Sequence, residues 1–88
     1  MPSMTTFVLD PLAEPPFAKC RKLASCDTKF RQYLYGADLP DESAASIAAS
    51  ARWTDQEIVN LLVANRRDKC ADPMEEDYYA RIIVQARA

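Results

Sequence analysis

The chain has 88 residues, 49% of them hydrophobic and 27% charged, with a net charge of −2. That length holds one domain at most, with a stability on the order of 5 kcal/mol, and the hydrophobic share excludes disorder for most of it. The negative balance excludes bulk attraction to nucleic acid, the single glycine argues against a hairpin-built β fold, and the absence of histidine removes the commonest general base and metal ligand.

In chain order, Met1 to Pro16 contains Pro2, Pro11, Pro15 and Pro16 and is no continuous helix. It reads as an irregular arm, residues 1–16, packing through Phe7, Val8 and Leu9, ahead of a helix-bundle domain over residues 17–88. Pro15 or Pro16 suits the first turn of a helix that ends near Ser25 or Cys26. Phe17, Cys20, Leu23 and Ala24 form its apolar stripe. Asp27 is an N-cap for a second helix, Lys29 to Tyr35, whose buried side is Phe30, Tyr33 and Leu34. Gly36 fits the left-handed position just past that helix.

Ala37 to Pro40 reads as a loop, and Asp41 or Ser43 caps a third helix running to about Ala51. It is small on nearly every face, so it sits centrally with larger side chains packed on it. Thr54 and Glu57 have the spacing of a capping box, and Trp53 before them suits a staple against Ile58 or Leu61. Ile58, Leu61, Leu62 and Asn65 recur at helical spacing, and Arg66, Arg67 and Lys69 close the helix where cations are favoured. Asp72 as N-cap, Pro73 in the first turn and Glu75 start a fifth helix with Tyr78, Tyr79, Ile82 and Ile83 inward. The expectation is an all-α, compact bundle of four to five short helices.

Cys20, Cys26 and Cys70 are odd in number and lack the spacing of a zinc site, so they read as reduced thiols and core filler, with no metal and no cofactor. With no signal peptide and no apolar run near ~18 residues, the expected place is the cytoplasm, with no membrane partner. One glycine leaves no phosphate loop, and Glu75 and Glu76 are explained by a helix start. The expectation is a protein that binds rather than catalyses. A helix-turn-helix is disfavoured, because Asp55 and Glu57 would lead the recognition helix toward phosphates.

Charge is grouped along the chain. Lys19, Arg21, Lys22, Lys29 and Arg31 stand against Asp27 alone between Phe17 and Tyr35. Asp38, Asp41, Glu42, Asp55 and Glu57 follow against Arg52, then Arg66, Arg67 and Lys69, then Asp72, Glu75, Glu76 and Asp77. A basic track with aromatic rings suits single-stranded nucleic acid; here Arg66, Arg67, Lys69 and Arg81 go with Tyr78 or Tyr79.

Asp41 to Ala88 resembles the helical segment that follows the catalytic domain in phage and plasmid primase-polymerases. The residues that carry the resemblance are the Ser- and Ala-rich stretch from Ser43 to Ala51, Trp53-Thr54-Asp55-Gln56-Glu57-Ile58 with Leu61-Leu62, Arg66-Arg67, and Asp77-Tyr78-Tyr79-Ala80-Arg81-Ile82-Ile83 through Arg87. Asp27-Thr28-Lys29-Phe30-Arg31 is similar to the pattern that often precedes it. Arg52 stands where that pattern usually has glycine, and the loop after Arg67 is shorter. The resemblance implies a helix bundle that contacts template single-stranded DNA during replication initiation, with Arg66, Arg67, Lys69, Tyr79 and Arg81 on the nucleic-acid side and Trp53, Ile58, Leu61 and Leu62 as scaffold. The catalytic primase and helicase parts are absent, and Met1 suggests a free-standing gene product. The partner is then single-stranded DNA, or a replication or host protein. In the last case a small phage protein blocks its target, as an anti-CRISPR does, through the clusters Asp38-Asp41-Glu42 and Asp72-Glu75-Glu76-Asp77.

Overall fold

The computed structural model describes residues 6–36 and 38–88, so Met1–Thr5 and Ala37 of the expected arm and loop lie outside it. Five helices follow one another: α1 (Phe17–Cys26), α2 (Thr28–Leu34), α3 (Asp41–Ser50), α4 (Asp55–Asp68) and α5 (Glu76–Ala86). No strand occurs among the described residues.

A single residue joins the first two helices. Asp27 is extended, its N–H closes α1 on the Leu23 carbonyl at 2.9 Å, and its carboxylate accepts the Phe30 N–H at 2.9 Å to open α2. Arg31 Nε donates to the Ala24 carbonyl at 2.9 Å, so α2 is also tied to the last turn of α1. The angle between α1 and α2 is thereby held by local hydrogen bonds as well as by the burial of Cys20, Ala24, Phe30 and Tyr33.

The expected central position of α3 is what the structure has: α3 packs against α2, α4 and α5. Ala44, Ala45 and Ala48 are fully buried, because a methyl group lets a neighbouring backbone approach closely. The first turn of α3 differs from the expected capping. Pro40 holds the N-cap position with no side-chain cap, and Asp41 is the first helical residue. Its carboxylate turns inward instead, accepting the Tyr33 hydroxyl at 2.8 Å and the Tyr78 hydroxyl at 2.7 Å. One carboxylate thus fastens α2 and α5 to α3.

Three helices end in a left-handed residue. Gly36 has φ +89°, as its sequence position implies, and Arg52 and Cys70 have φ 67° and 58°. The Trp53 N–H returns to Ala48 and the Arg52 N–H to Ala49, at 3.1 and 3.0 Å. The Ala71 and Cys70 N–H groups return to Arg66 and Arg67, both at 2.9 Å. Both are Schellman closures, which satisfy the last carbonyls of a helix. Arg52 therefore occupies a backbone position made for glycine.

α4 begins with the expected capping box: the Glu57 N–H donates to Thr54 Oγ1 at 3.2 Å, and the Thr54 N–H to Glu57 Oε1 at 2.9 Å. Ile58, Val59, Leu61, Leu62, Val63 and Ala64 are all buried, so this helix is covered on most of its circumference. Trp53 is buried in the same core as Ile58, and its ring meets Phe30 edge-on with centroids 5.6 Å apart. The start of α5 is a correction. Asp72, Pro73 and Met74 are not helical, and Glu75 rather than Asp72 is the N-cap. The chain must cross from the end of α4 before α5 can begin, and Arg66 Nε holds that crossing by donating to the Asp72 carbonyl at 2.7 Å.

Part of the arm belongs to the core. Phe7 is buried and Leu9 packs against the cluster, whereas Val8 is exposed. Gln56 reads the Val8 backbone in both senses, accepting its N–H at 2.7 Å and donating to its carbonyl at 2.9 Å. Thr6 donates to Asp55, and Arg67 donates to the Pro11 carbonyl at 2.9 Å. At the other end of the chain, Arg87 donates to Asp55 and to the Trp53 carbonyl, which closes α5 onto the start of α4.

Candidate nucleic-acid interface

The residues expected on the nucleic-acid side divide by what already occupies them. Tyr79 is 0% exposed, and its hydroxyl accepts the Met74 N–H at 3.1 Å. A base cannot stack on a ring enclosed by protein, so the expectation for Tyr79 is corrected: it is core, and burial pushes its hydroxyl pKa up. Tyr78, the other candidate ring, is half-buried with its hydroxyl on Asp41; burial and that carboxylate push its pKa up. Arg66 is half-buried and committed to the Asp72 carbonyl. Arg67 serves the Pro11 carbonyl and lies 3.6 Å from the Glu14 carboxylate. Lys69 and Arg81 are exposed and make no ion pair among the described residues. The five residues therefore do not form one surface of free cations and rings. Two are exposed, two hold the chain together, and one is core.

The acidic groups sort in the same way. Asp41 is spent on two tyrosines. Asp55 takes Thr6 and Arg87; burial opposes its charge, but those two donors outweigh it and hold its carboxyl below the usual value. Glu57 pairs with Lys19 at 2.8 Å, and Lys19 together with the Thr54 backbone lowers its pKa. Asp38, Glu42, Asp72, Glu75 and Asp77 remain exposed. Among the described residues, no three Cys, Asp or Glu side chains come together as a metal site. Burial pushes the Cys20 thiol up to about 11, whereas Cys26 and Cys70 are exposed.

The helix pair α1–α2 has a different character. Lys19, Arg21, Lys22, Lys29 and Arg31 are all exposed there. Asp27, the single acid of the segment, has turned its carboxylate to the Phe30 N–H. The two exposed aromatic rings among the described residues also belong to this pair, Phe17 at 63% and Tyr35 at 82%. Phe17 is a further correction, since its helical spacing assigns it to the buried stripe with Cys20 and Ala24. The core side of α1 ends at Cys20, and the first turn projects beyond it. These residues form a charge group in the sequence but are not among those expected on the nucleic-acid side. The signal was present as a run of five cations bounded by an aromatic residue on each side.

The chain matches no family model, no curated protein and no solved structure.

Proposed function

We propose that this chain is a non-catalytic helix-bundle module that binds single-stranded DNA, the ligand implied by the resemblance of Asp41–Ala88 to the primase-associated segment, and that it serves a phage or related mobile replication system. The observation that supports this reading is the segregation of charge. A chain with a net charge of −2 exposes Arg21, Lys22, Lys29 and Arg31 along α1–α2, where Lys19 pairs with Glu57 and the one acid of the segment is turned to a backbone N–H. Such a local field attracts a polyanion even when the whole molecule does not. The rival reading, a blocker of a host protein acting through the clusters Asp38-Asp41-Glu42 and Asp72-Glu75-Glu76-Asp77, loses Asp41 to the two tyrosines and keeps Asp38, Glu42, Asp72, Glu75 and Asp77 exposed.

The test is fluorescence anisotropy of the purified chain with a labelled oligothymidine, titrated at several salt concentrations. The expected result is micromolar binding whose logarithm falls with log[salt], by about 0.7 for each phosphate neutralised. Absence of binding at low salt refutes the reading. Capture of a host protein that is lost on Asp38→Lys and Glu42→Lys moves the function to the acidic surface.

A further inference from the structure

The α1–α2 pair contains more than charge. Between the two helices lies a groove of about 400 Å³ lined by Arg21, Ala24 and Ser25 from one side and Arg31, Leu34 and Tyr35 from the other. Arg31 and Tyr35 are four residues apart, so they project from one face across the end of α2. Arg21 approaches from α1, and Phe17 stands one turn before it on the same face.

We infer that this groove is the base-stacking site of the module, with Tyr35 as the stacking platform and Arg21 and Arg31 as its phosphate contacts. The inference rests on the single-strand reading above and relocates the working surface from the end of α4 to α1–α2.

Three features of the groove match what an unpaired strand requires. A base needs an exposed ring with open space beside it, and Tyr35 is 82% exposed at the rim of the groove. The backbone needs cations within a nucleotide's reach of that ring, and two arginines line the same groove. The site needs to be in place before the strand arrives, because ordering side chains on binding costs affinity. Arg31 meets that need: its Nε is held on the Ala24 carbonyl, and the other four N–H groups of the guanidinium face no protein acceptor among the described residues. Leu34 and Ala24 give the floor an apolar patch against which the edge of a base can rest. Stacking and phosphate contact tolerate any base, so the ligand class is single-stranded nucleic acid without sequence readout. DNA and RNA strands share this chemistry.

The experiment compares the wild-type full chain with Tyr35→Ala, Tyr35→Phe and Arg21→Glu. The probes are labelled oligothymidine, an oligouridine of equal length and a DNA duplex. Tyr35 and Arg21 are exposed, so these variants keep the fold, which circular-dichroism melts verify. Tyr35→Ala changes no charge, and its expected loss is on the order of tenfold in affinity with an unchanged salt slope. Tyr35→Phe keeps the ring and the affinity. Arg21→Glu weakens binding and lowers the salt slope by about 0.7 or more. Equal dependence on Tyr35 with both single strands supports the assignment to shared stacking chemistry, and dependence with one strand alone assigns the site to that strand. If the wild-type chain binds no probe at low salt, the proposed function itself fails. If duplex is preferred over single strand, the single-strand reading fails along with the site; if the chain binds single strand while Tyr35→Ala and Arg21→Glu bind equally well, only this site is overturned. In that case Lys69→Glu and Arg81→Glu variants show the loss instead.

Discussion

Arg52→Gly is expected to leave the stability of the protein nearly unchanged, although it removes a long side chain and a charge. Arg52 closes α3 with φ 67°, in the left-handed region that costs an L-residue about 1–2 kcal/mol. Glycine takes that conformation without strain but gains freedom in the unfolded chain, which returns roughly 0.5–1 kcal/mol. Removing a cation from the C-terminal end of a helix forfeits about 0.3–1 kcal/mol more where it is exposed, as Arg52 is. Against wild type these contributions nearly cancel, leaving a net change of about 0 kcal/mol. The informative comparison is therefore with Arg52→Ala, which loses the same charge and keeps the Cβ. Glycine is expected to exceed alanine by about 1 kcal/mol, a difference of roughly 4–8 °C in Tm for a chain of this size. Urea denaturation followed by far-ultraviolet circular dichroism and by Trp53 fluorescence measures it, since Trp53 is buried next to the turn. Equal stability of the glycine and alanine variants refutes the argument, because it means that φ at this position is relaxed in the folded chain.

Other parts of the fold make their own predictions. Asp41→Ala leaves the hydroxyls of Tyr33 and Tyr78 without their acceptor, one of them fully buried, and is expected to cost about 2 kcal/mol, some 10 °C in Tm; a loss under 2 °C, well below the ~4 °C expected per kcal/mol, counts against the clasp. Acid destabilises the start of α4. Asp55 and Glu57 have folded pKa values below their ordinary 3.8 and 4.5, so their contribution is present above those values and disappears as pH falls through the folded ones. Tm is expected to decline below about pH 5, and a flat profile down to roughly pH 3 contradicts the pairing with Lys19 and Arg87. Of the three thiols, Cys26 and Cys70 react promptly with a disulfide reagent at neutral pH, while Cys20, buried and pushed up to about 11, reacts only on unfolding. Prompt reaction of all three shows that α1 opens readily.

What was readable in the sequence follows the range of the physics involved. The Thr54–Glu57 capping box, the Asp27 cap, the left-handed Gly36 and the pattern of α4 are settled within one or two helical turns, by groups that find each other wherever the helix forms. The small side chains of α3 also announced a central helix, because burial of alanine in three positions needs only that larger neighbours exist. The function-bearing surface was less legible. Phe17 and Tyr79 both keep helical spacing with apolar partners, yet one is exposed and the other enclosed. Spacing fixes which residues share a face, and only the neighbouring elements decide whether that face is covered. Asp41 illustrates the same limit for charge: its position before a helix reads as a cap, and its actual partners, Tyr33 and Tyr78, come from 8 and 37 residues away. Arg66 and Arg67 look like free cations at a helix end, whereas the folded chain spends them on the carbonyls of Asp72 and Pro11. The sequence by itself determined the starts of α2 and α4 and the close of α2, since those choices are made by adjacent backbone groups, whereas the start of α5 waits on the crossing from α4. The tertiary structure alone decided which charges remain free for a partner, because a charge is free only if no distant segment of the chain reaches it first.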